Sequence, residues 1–225
     1  IAERMTKQVR GMTVAGRNAN DAISLAQTAD GSLSKVSESL QRMRELAIQS
    51  SSASNSASDR TNLDEEYQAL AAEVGNAIGR AKFNGNDLMN ASATDMAFQV
   101  GNERTDSITV NLTDISAGAG MAAALSGAIT SAATALTTLS SLDAAISEVT
   151  TARSNFGAVQ NRFEAVAANL SDTAENLASS RGLIMDADFA TESANLARAQ
   201  VLQQAGNAML AQANQAPQQV ISLLR

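Results

Sequence analysis

Apolar side chains recur along the first fifty residues at alternating steps of three and four, the pattern of a helix that packs along one face. A 3.5-residue repeat held over positions 5–47 is typical of a coiled-coil seam. We therefore predict one long helix over about residues 1–51. Its seam consists of Met5, Gln8, Met12, Ala15, Ala19, Ala22, Ala26, Ala29, Leu33, Val36, Leu40, Met43 and Ala47, of which only Gln8 is polar.

A second seam with the same spacing predicts another long helix over about residues 134–180. Its polar members, Arg153 and Gln160, are of the kind that fixes the register against a partner helix. Two seams of similar length, far apart in sequence, predict that these two helices pack together. The seam consists of Leu139, Leu142, Ile146, Val149, Arg153, Phe156, Gln160, Phe163, Ala167, Leu170, Ala174 and Leu177.

The residues between the two seams predict smaller elements. A polar break at residues 50–58 precedes a second helix over about 58–82, and residues 83–86 (FNGN) signal a turn. Apolar and polar residues then alternate over about 96–112, which predicts a β-hairpin. Small residues at 116–120 favour a loop. The predicted fold is mainly α: an elongated antiparallel helical bundle with coiled-coil seams and a small β-hairpin region.

The C-terminal residues behave differently from the two seams. Asp186 and Asp188 favour a turn and a helix cap, and a final helix is predicted from about residue 189. No charged residue lies between positions 199 and 224, although a solvated helix carries charge on its outer face. We therefore predict a domain of residues 1–182 and a C-terminal core helix of 183–225 that orders against a protein partner. Its candidate contacts are Val201, Leu202, Met209, Leu210, Val220, Ile221, Leu223 and Leu224.

Composition argues against most chemistry. The chain has no Cys and no His, which removes thiol catalysis and the commonest general base and metal ligand. The carboxylates of residues 64–66 and of Asp186 with Asp188 lack further ligands, so we predict no metal, no cofactor and no enzyme activity. A net charge of −7 without a basic block argues against nucleic acid as a partner. No apolar run reaches the length that membrane insertion requires.

Several longer motifs give the chain a family resemblance. Residues 17–24 (RNANDAIS), 40–50 (LQRMRELAIQS) and 98–101 (FQVG) resemble the N-terminal half of bacterial flagellin. Residues 186–196 (DADFATESANL) and 212–218 (QANQAPQ) resemble its C-terminus. The resemblance covers nearly the whole chain and identifies a short flagellin without large outer domains, which begins inside the first shaft helix and lacks the N-terminal core helix.

The resemblance implies a function. Flagellin is a secreted structural protein that self-assembles into the extracellular flagellar filament for motility. The implied partners are other flagellin subunits, a flagellar export chaperone on the C-terminal segment, the type III export apparatus, and the filament cap and junction proteins. Two rivals stay open: a hook–filament junction protein, whose terminal regions resemble flagellin, and a surface binding protein built on the same scaffold.

The resemblance also implies a host partner. In many flagellins Toll-like receptor 5 recognises the shaft helices, and the matching positions here are Arg42, Leu46 and Glu66. We therefore expect recognition by this receptor. The plainer alternative is that Arg42 and Glu66 are ordinary exposed charges of a solvated helix.

Overall fold

The structure, a computed structural model, describes residues 1–186 and 188–223, with side chains described up to residue 213. Helices dominate the described chain, and the strands form two short antiparallel pairs, β1 with β2 and β3 with β4. The predicted fold class is confirmed. The elements are α1 (Ala2–Ser51), α2 (Ala57–Arg80), β1 (Lys82–Phe83), β2 (Asn86–Asp87), β3 (Met96–Gln99), β4 (Ser107–Val110), α3 (Ala119–Leu125), α4 (Ala132–Met185) and α5 (Phe189–Leu223).

The chain divides into two compact units, which are described separately. The first, here called the body, is Glu3–Ala178 and contains the buried core. The second comprises Ser179–Arg225 with Ile1–Ala2, and includes α5. Helix α4 was predicted to end at about residue 180 and instead continues to Met185.

Two ion pairs show how α1 and α4 pack within the body. Arg44 Nε lies 2.7 Å from Asp143 Oδ1, and Arg153 Nε lies 2.8 Å from Asp30 Oδ1. Asp30 precedes Arg44 along α1, whereas its partner Arg153 follows Asp143 along α4, so the two helices are antiparallel. Arg153, a polar member of the predicted seam, therefore pairs across the helices as a register-fixing residue should.

The buried side of α1 is wider than the predicted seam. Every seam position from Ala15 to Ala47 is buried, and so are Leu25, Leu46 and Ser50, which lie outside the seam. The Ser50 hydroxyl donates to the carbonyl oxygen of Ile129, just before α4. Helix α1 thus has neighbours on more than one side. Its stripe of buried residues is therefore wider than the seam between two helices would be.

Helix α2 runs antiparallel to α1 and begins at a capping box. The Ser56 hydroxyl accepts from the Asp59 amide at 3.2 Å, and the Asp59 carboxylate accepts from the Ser56 amide at 2.9 Å. These reciprocal bonds satisfy free N–H groups at the helix start. Arg60, in the first turn, donates to the Ser50 carbonyl at 2.9 Å and so ties the start of α2 to the end of α1.

The two hairpins lie against the long helices of the body. Asn84 and Gly85, with φ of 50° and 84°, make the tight turn between β1 and β2 that residues 83–86 predict. In the second hairpin, Phe98 meets Phe163 of α4 edge to face, with ring centroids 5.7 Å apart. Asn18 of α1 donates to the Gln99 carbonyl at 2.8 Å. The β3–β4 pair is therefore fixed to both α1 and α4.

One short helix was not predicted. Residues 116–120 were expected to form a loop, but α3 begins at Ala119. The free amides of Gly120 and Met121 donate to the Glu148 carboxylate of α4, at 2.9 and 3.0 Å. The residue that satisfies this helix start is thus nearly thirty positions away, where local sequence reading does not find it.

Candidate assembly and recognition surfaces

Arg42 and Glu66 meet across α1 and α2. Arg42 donates to one Glu66 oxygen through Nη2 at 2.8 Å and Nε at 3.0 Å, and its Nη1 donates to Glu45 at 3.0 Å. The hydrogen bonds to Glu66 and then to Glu45 raise the pKa of Arg42. The Arg42 and Glu66 side chains are 49% and 47% exposed, so the pair is open to a partner. Sequence reading missed Glu45, although its i, i+3 spacing from Arg42 places both on one face.

The third predicted recognition residue, Leu46, lies in a different place. Its side chain is fully buried in the core of the body. It therefore has no surface to offer a partner while the body is folded. Leu46 instead packs behind the turn of α1 that carries Arg42, so the exposed surface consists of Arg42, Glu45 and Glu66.

Tyr67, the residue after Glu66, anchors this part of α2 to the core of the body. The Tyr67 side chain is fully buried, and its hydroxyl donates to the Ala124 carbonyl of α3 at 2.6 Å. Burial raises the pKa of this phenol, which keeps it neutral. One turn earlier, Asp64 accepts from the Ile129 amide at 2.7 Å. The carboxylates of residues 64–66 thus have structural roles or face solvent.

Helix α5 carries the second candidate surface. Four of its predicted contact residues have large apolar side chains that are 63–69% exposed: Val201, Leu202, Met209 and Leu210. The side chains of Val220, Ile221 and Leu223 lie outside the described residues, and so does Leu224 entirely. Phe189 and Leu196 add to the exposed apolar area at 84% and 58%. Such an area on one helix is typical of a surface for another protein.

The start of α5 is fixed by Asp188. Its carboxylate accepts from the Thr191 hydroxyl at 2.8 Å and from the amides of Ala190 and Thr191 at 3.0 and 3.3 Å. These bonds, the one from the Thr191 hydroxyl first, lower the pKa of Asp188. Asp188 is therefore a helix cap, as predicted.

The described part of the chain contains no group of three or more residues suited to hold a metal ion. Nor, over the same residues, does any helix combine the length and apolar character that a membrane span requires.

Comparison with known proteins places the chain in a family. Residues 1–94 match the bacterial flagellin N-terminal helical region, and residues 139–224 match the bacterial flagellin C-terminal helical region. A flagellin of Halalkalibacterium halodurans is 40% identical over 225 residues, which covers 100% of this chain and 83% of the relative. A flagellin of Bacillus subtilis is 37% identical over 257 aligned residues, covering 100% of this chain and 84% of the relative.

Solved structures agree with the sequence matches. Bacillus cereus flagellin superimposes with a TM-score of 0.64 at 32% identity, over 73% of this chain and 94% of that one. A putative flagellar hook-associated protein from Vibrio parahaemolyticus gives a TM-score of 0.66 over 80% of this chain and 94% of that one. Its 14% identity makes that likeness one of fold alone. The chain belongs to the bacterial flagellin family, and is a structural subunit that assembles with other flagellin subunits into the flagellar filament.

Proposed function

We propose that the two parts of the subunit have different roles. The body forms the shaft, and residues 183–225 form the core helix through which subunits bind one another in the filament. The observation that supports this division is the exposed apolar surface of α5. Val201, Leu202, Met209 and Leu210 are exposed on a helix with no charge between positions 199 and 224. Apolar area of this kind gains most when copies bury it against one another.

A charge placed on that surface tests the assignment. Leu202→Asp should raise the concentration needed for sedimentable polymer by more than about tenfold, because a carboxylate would have to be buried at the contact. Gln41→Asp introduces the same charge on the exposed side of α1, within the body, and should leave assembly near wild type. Equal polymer from Leu202→Asp and wild type would contradict the assignment.

The same surface suits the partners of an unassembled subunit. We propose that a flagellar export chaperone covers α5 until the chain passes through the type III export apparatus to the outside of the cell. An uncharged, apolar helix that is uncovered before assembly would associate prematurely. The filament cap and junction proteins are proposed to meet subunits at the filament ends. The absence of His and Cys from the sequence supports a purely structural role without enzyme activity.

For the host, we propose that Toll-like receptor 5 binds the body through Arg42 and Glu66. The ion pair between them is exposed and holds both side chains at one place on α1 and α2. Leu46 supports this surface from the core and does not contact the receptor. Its truncation should act through stability, whereas loss of Arg42 should act on binding alone.

This difference gives the test of the receptor surface. Arg42→Ala should reduce receptor signalling at least about tenfold, as expected for an interface hot spot. The melting temperature should hardly change, because Arg42 is exposed. Arg80→Ala, at an exposed cation at the end of α2, is the matched control and should signal normally. Normal signalling by Arg42→Ala would overturn the proposal.

A further inference from the structure

The first turns of α1 carry a concentration of positive charge, here called the basic face. It consists of Arg4, Lys7, Arg10 and Arg17, all exposed, with Glu3 and Asp21 at its two ends. At 100° per residue, Lys7, Arg10 and Arg17 lie within an arc of about 80°. That arc is turned away from the buried seam, so these side chains project into solvent.

The last turns of α4 within the body carry the opposite charge, here called the acidic face. It consists of Glu164, Asp172 and Glu175, all exposed, and these residues fall within an arc of about 80°. They too lie away from the buried Phe163 and Leu170. The acidic face contains no cation between residues 164 and 175.

The two faces lie at one level of the body. Asp30 pairs with Arg153 and Arg44 pairs with Asp143, which fixes the antiparallel register of α1 and α4. Both helices rise by the same distance per residue, so the register extends from the Asp30–Arg153 pair toward the start of α1 and the end of α4. Arg10 and Arg17 then lie opposite positions of about 173 and 166 on α4. The basic face and the acidic face thus lie at the same level along the bundle.

Nevertheless, the faces do not neutralise each other within the chain. The ion pairs found over residues 1–186 and 188–213 join other residues, and no member of either face takes part in one. Elsewhere in the body, α1 and α4 do pair their charges across the helices, at Arg44 and Arg153. Opposite faces that point outward on one subunit cannot meet, but those of two adjacent subunits can.

We propose that the basic face of one subunit binds the acidic face of a second copy of this chain, as a lateral contact of the filament. The contact joins two different patches, so it is heterologous and leaves one free face of each kind after every addition. Such a contact can repeat from subunit to subunit, and where the repeat does not close into a ring it gives an open helical array like the filament of the family. The inference rests on the filament assembly of the family, and it is independent of the role proposed for α5.

Charge reversal tests the contact. Arg10→Glu with Arg17→Glu reverses two of the four cations of the basic face, and Glu164→Lys with Glu175→Lys reverses two of the three anions of the acidic face. Each variant alone should need about tenfold more protein to form polymer, because attraction at two or more pairs becomes repulsion. An equal mixture of the two should assemble near the wild-type concentration, since each then offers the other a complementary face.

The matched control reverses two cations elsewhere in the body. Arg80→Glu with Arg104→Glu changes the net charge by the same amount as the α1 variant, and both residues are exposed. This control should assemble like wild type. Circular dichroism should show wild-type helix content in every variant. A mixture no better than its components, or a control as impaired as the α1 variant, would overturn the proposal.

Cross-linking gives an answer even where reversal disturbs folding or the wild-type chain stays unpolymerised in dilute solution. The chain has no Cys, so Val14→Cys on the basic face and Ala168→Cys on the acidic face each supply the only thiol. Mixed at high concentration and oxidised, the two variants should form mainly the mixed disulfide. Equal amounts of mixed and self-paired products would contradict the contact. Loss of polymer in Leu202→Asp with intact mixed cross-links would show that the α5 contact and this one are separate.

Discussion

The body and α5 are built from similar residues, but they differ in what those residues bury. In α1 the apolar residues recur at 3.5-residue steps, and from Ala15 onward the seam is buried within the chain. In α5 every side chain from Phe189 to residue 213 is exposed. Both segments are Ala-rich, so helix propensity does not separate them. What separates them is burial: the body buries its apolar seam within the chain, whereas we propose that α5 buries its apolar residues against another subunit.

The largest expected effect on stability comes from truncating a buried side chain of the seam. Leu40 is fully buried, and Leu40→Ala should lower the free energy of unfolding of the body by about 3 kcal/mol through the cavity it leaves. Leu170 is slightly exposed, and Leu170→Ala should cost about 2 kcal/mol. Denaturant titration of the monomer measures both.

The same truncation on α5 sharpens the contrast. Leu202→Ala removes the same atoms from an exposed position and should change monomer stability by less than about 0.5 kcal/mol. Its effect should appear only in the concentration needed for polymer. If Leu202→Ala destabilises the monomer as much as Leu40→Ala, the two regions do not differ in the way described.

A smaller effect follows from the cap of α5. The pKa of Asp188 is lowered in the folded chain, so the ionised form is the one that stabilises. Its contribution is therefore complete above the ordinary aspartate value of about 3.9 and is lost as the pH falls through the lowered folded value. We expect the helix content at the start of α5 to fall over that pH range, and the amide signals of residues 189–195 measure this loss.

The control for this titration is Asp188→Asn. The amide oxygen still accepts from the free N–H groups but does not titrate, so the acid-induced loss at residues 189–195 should disappear. The capping box of α2 gives an internal comparison, because hydrogen bonds with Ser56 also lower the pKa of Asp59. Identical acid sensitivity in Asp188→Asn and wild type would contradict the cap's role.

The 3.5-residue repeat was enough to predict both long helices and their pairing, because that repeat reflects packing between two helices. It missed Leu25, Leu46 and Ser50, which face additional neighbours of α1 that a two-helix pattern does not include. Leu46 was assigned to the receptor surface by the family resemblance, which carries no information on burial, and its side chain lies in the core.

Helix α3 was missed because its start depends on a distant carboxylate. Residues 116–120 are small, and Gly118, which precedes the helix, makes no side-chain cap hydrogen bond to its free amides. Glu148 does so from α4, and that contact exists only once the bundle has formed. The apolar surface of α5, in contrast, was predictable, since absence of charge is a property of the segment itself.

Amide hydrogen exchange of the chain as monomer and as sedimented polymer tests the central claim most directly. The body should exchange slowly in both states, because its core is complete within one chain. Residues 189–213 should exchange quickly in the monomer and slowly in the polymer. Slow exchange of those residues in the monomer, or fast exchange in the polymer, would contradict the claim that α5 obtains its packing from other subunits.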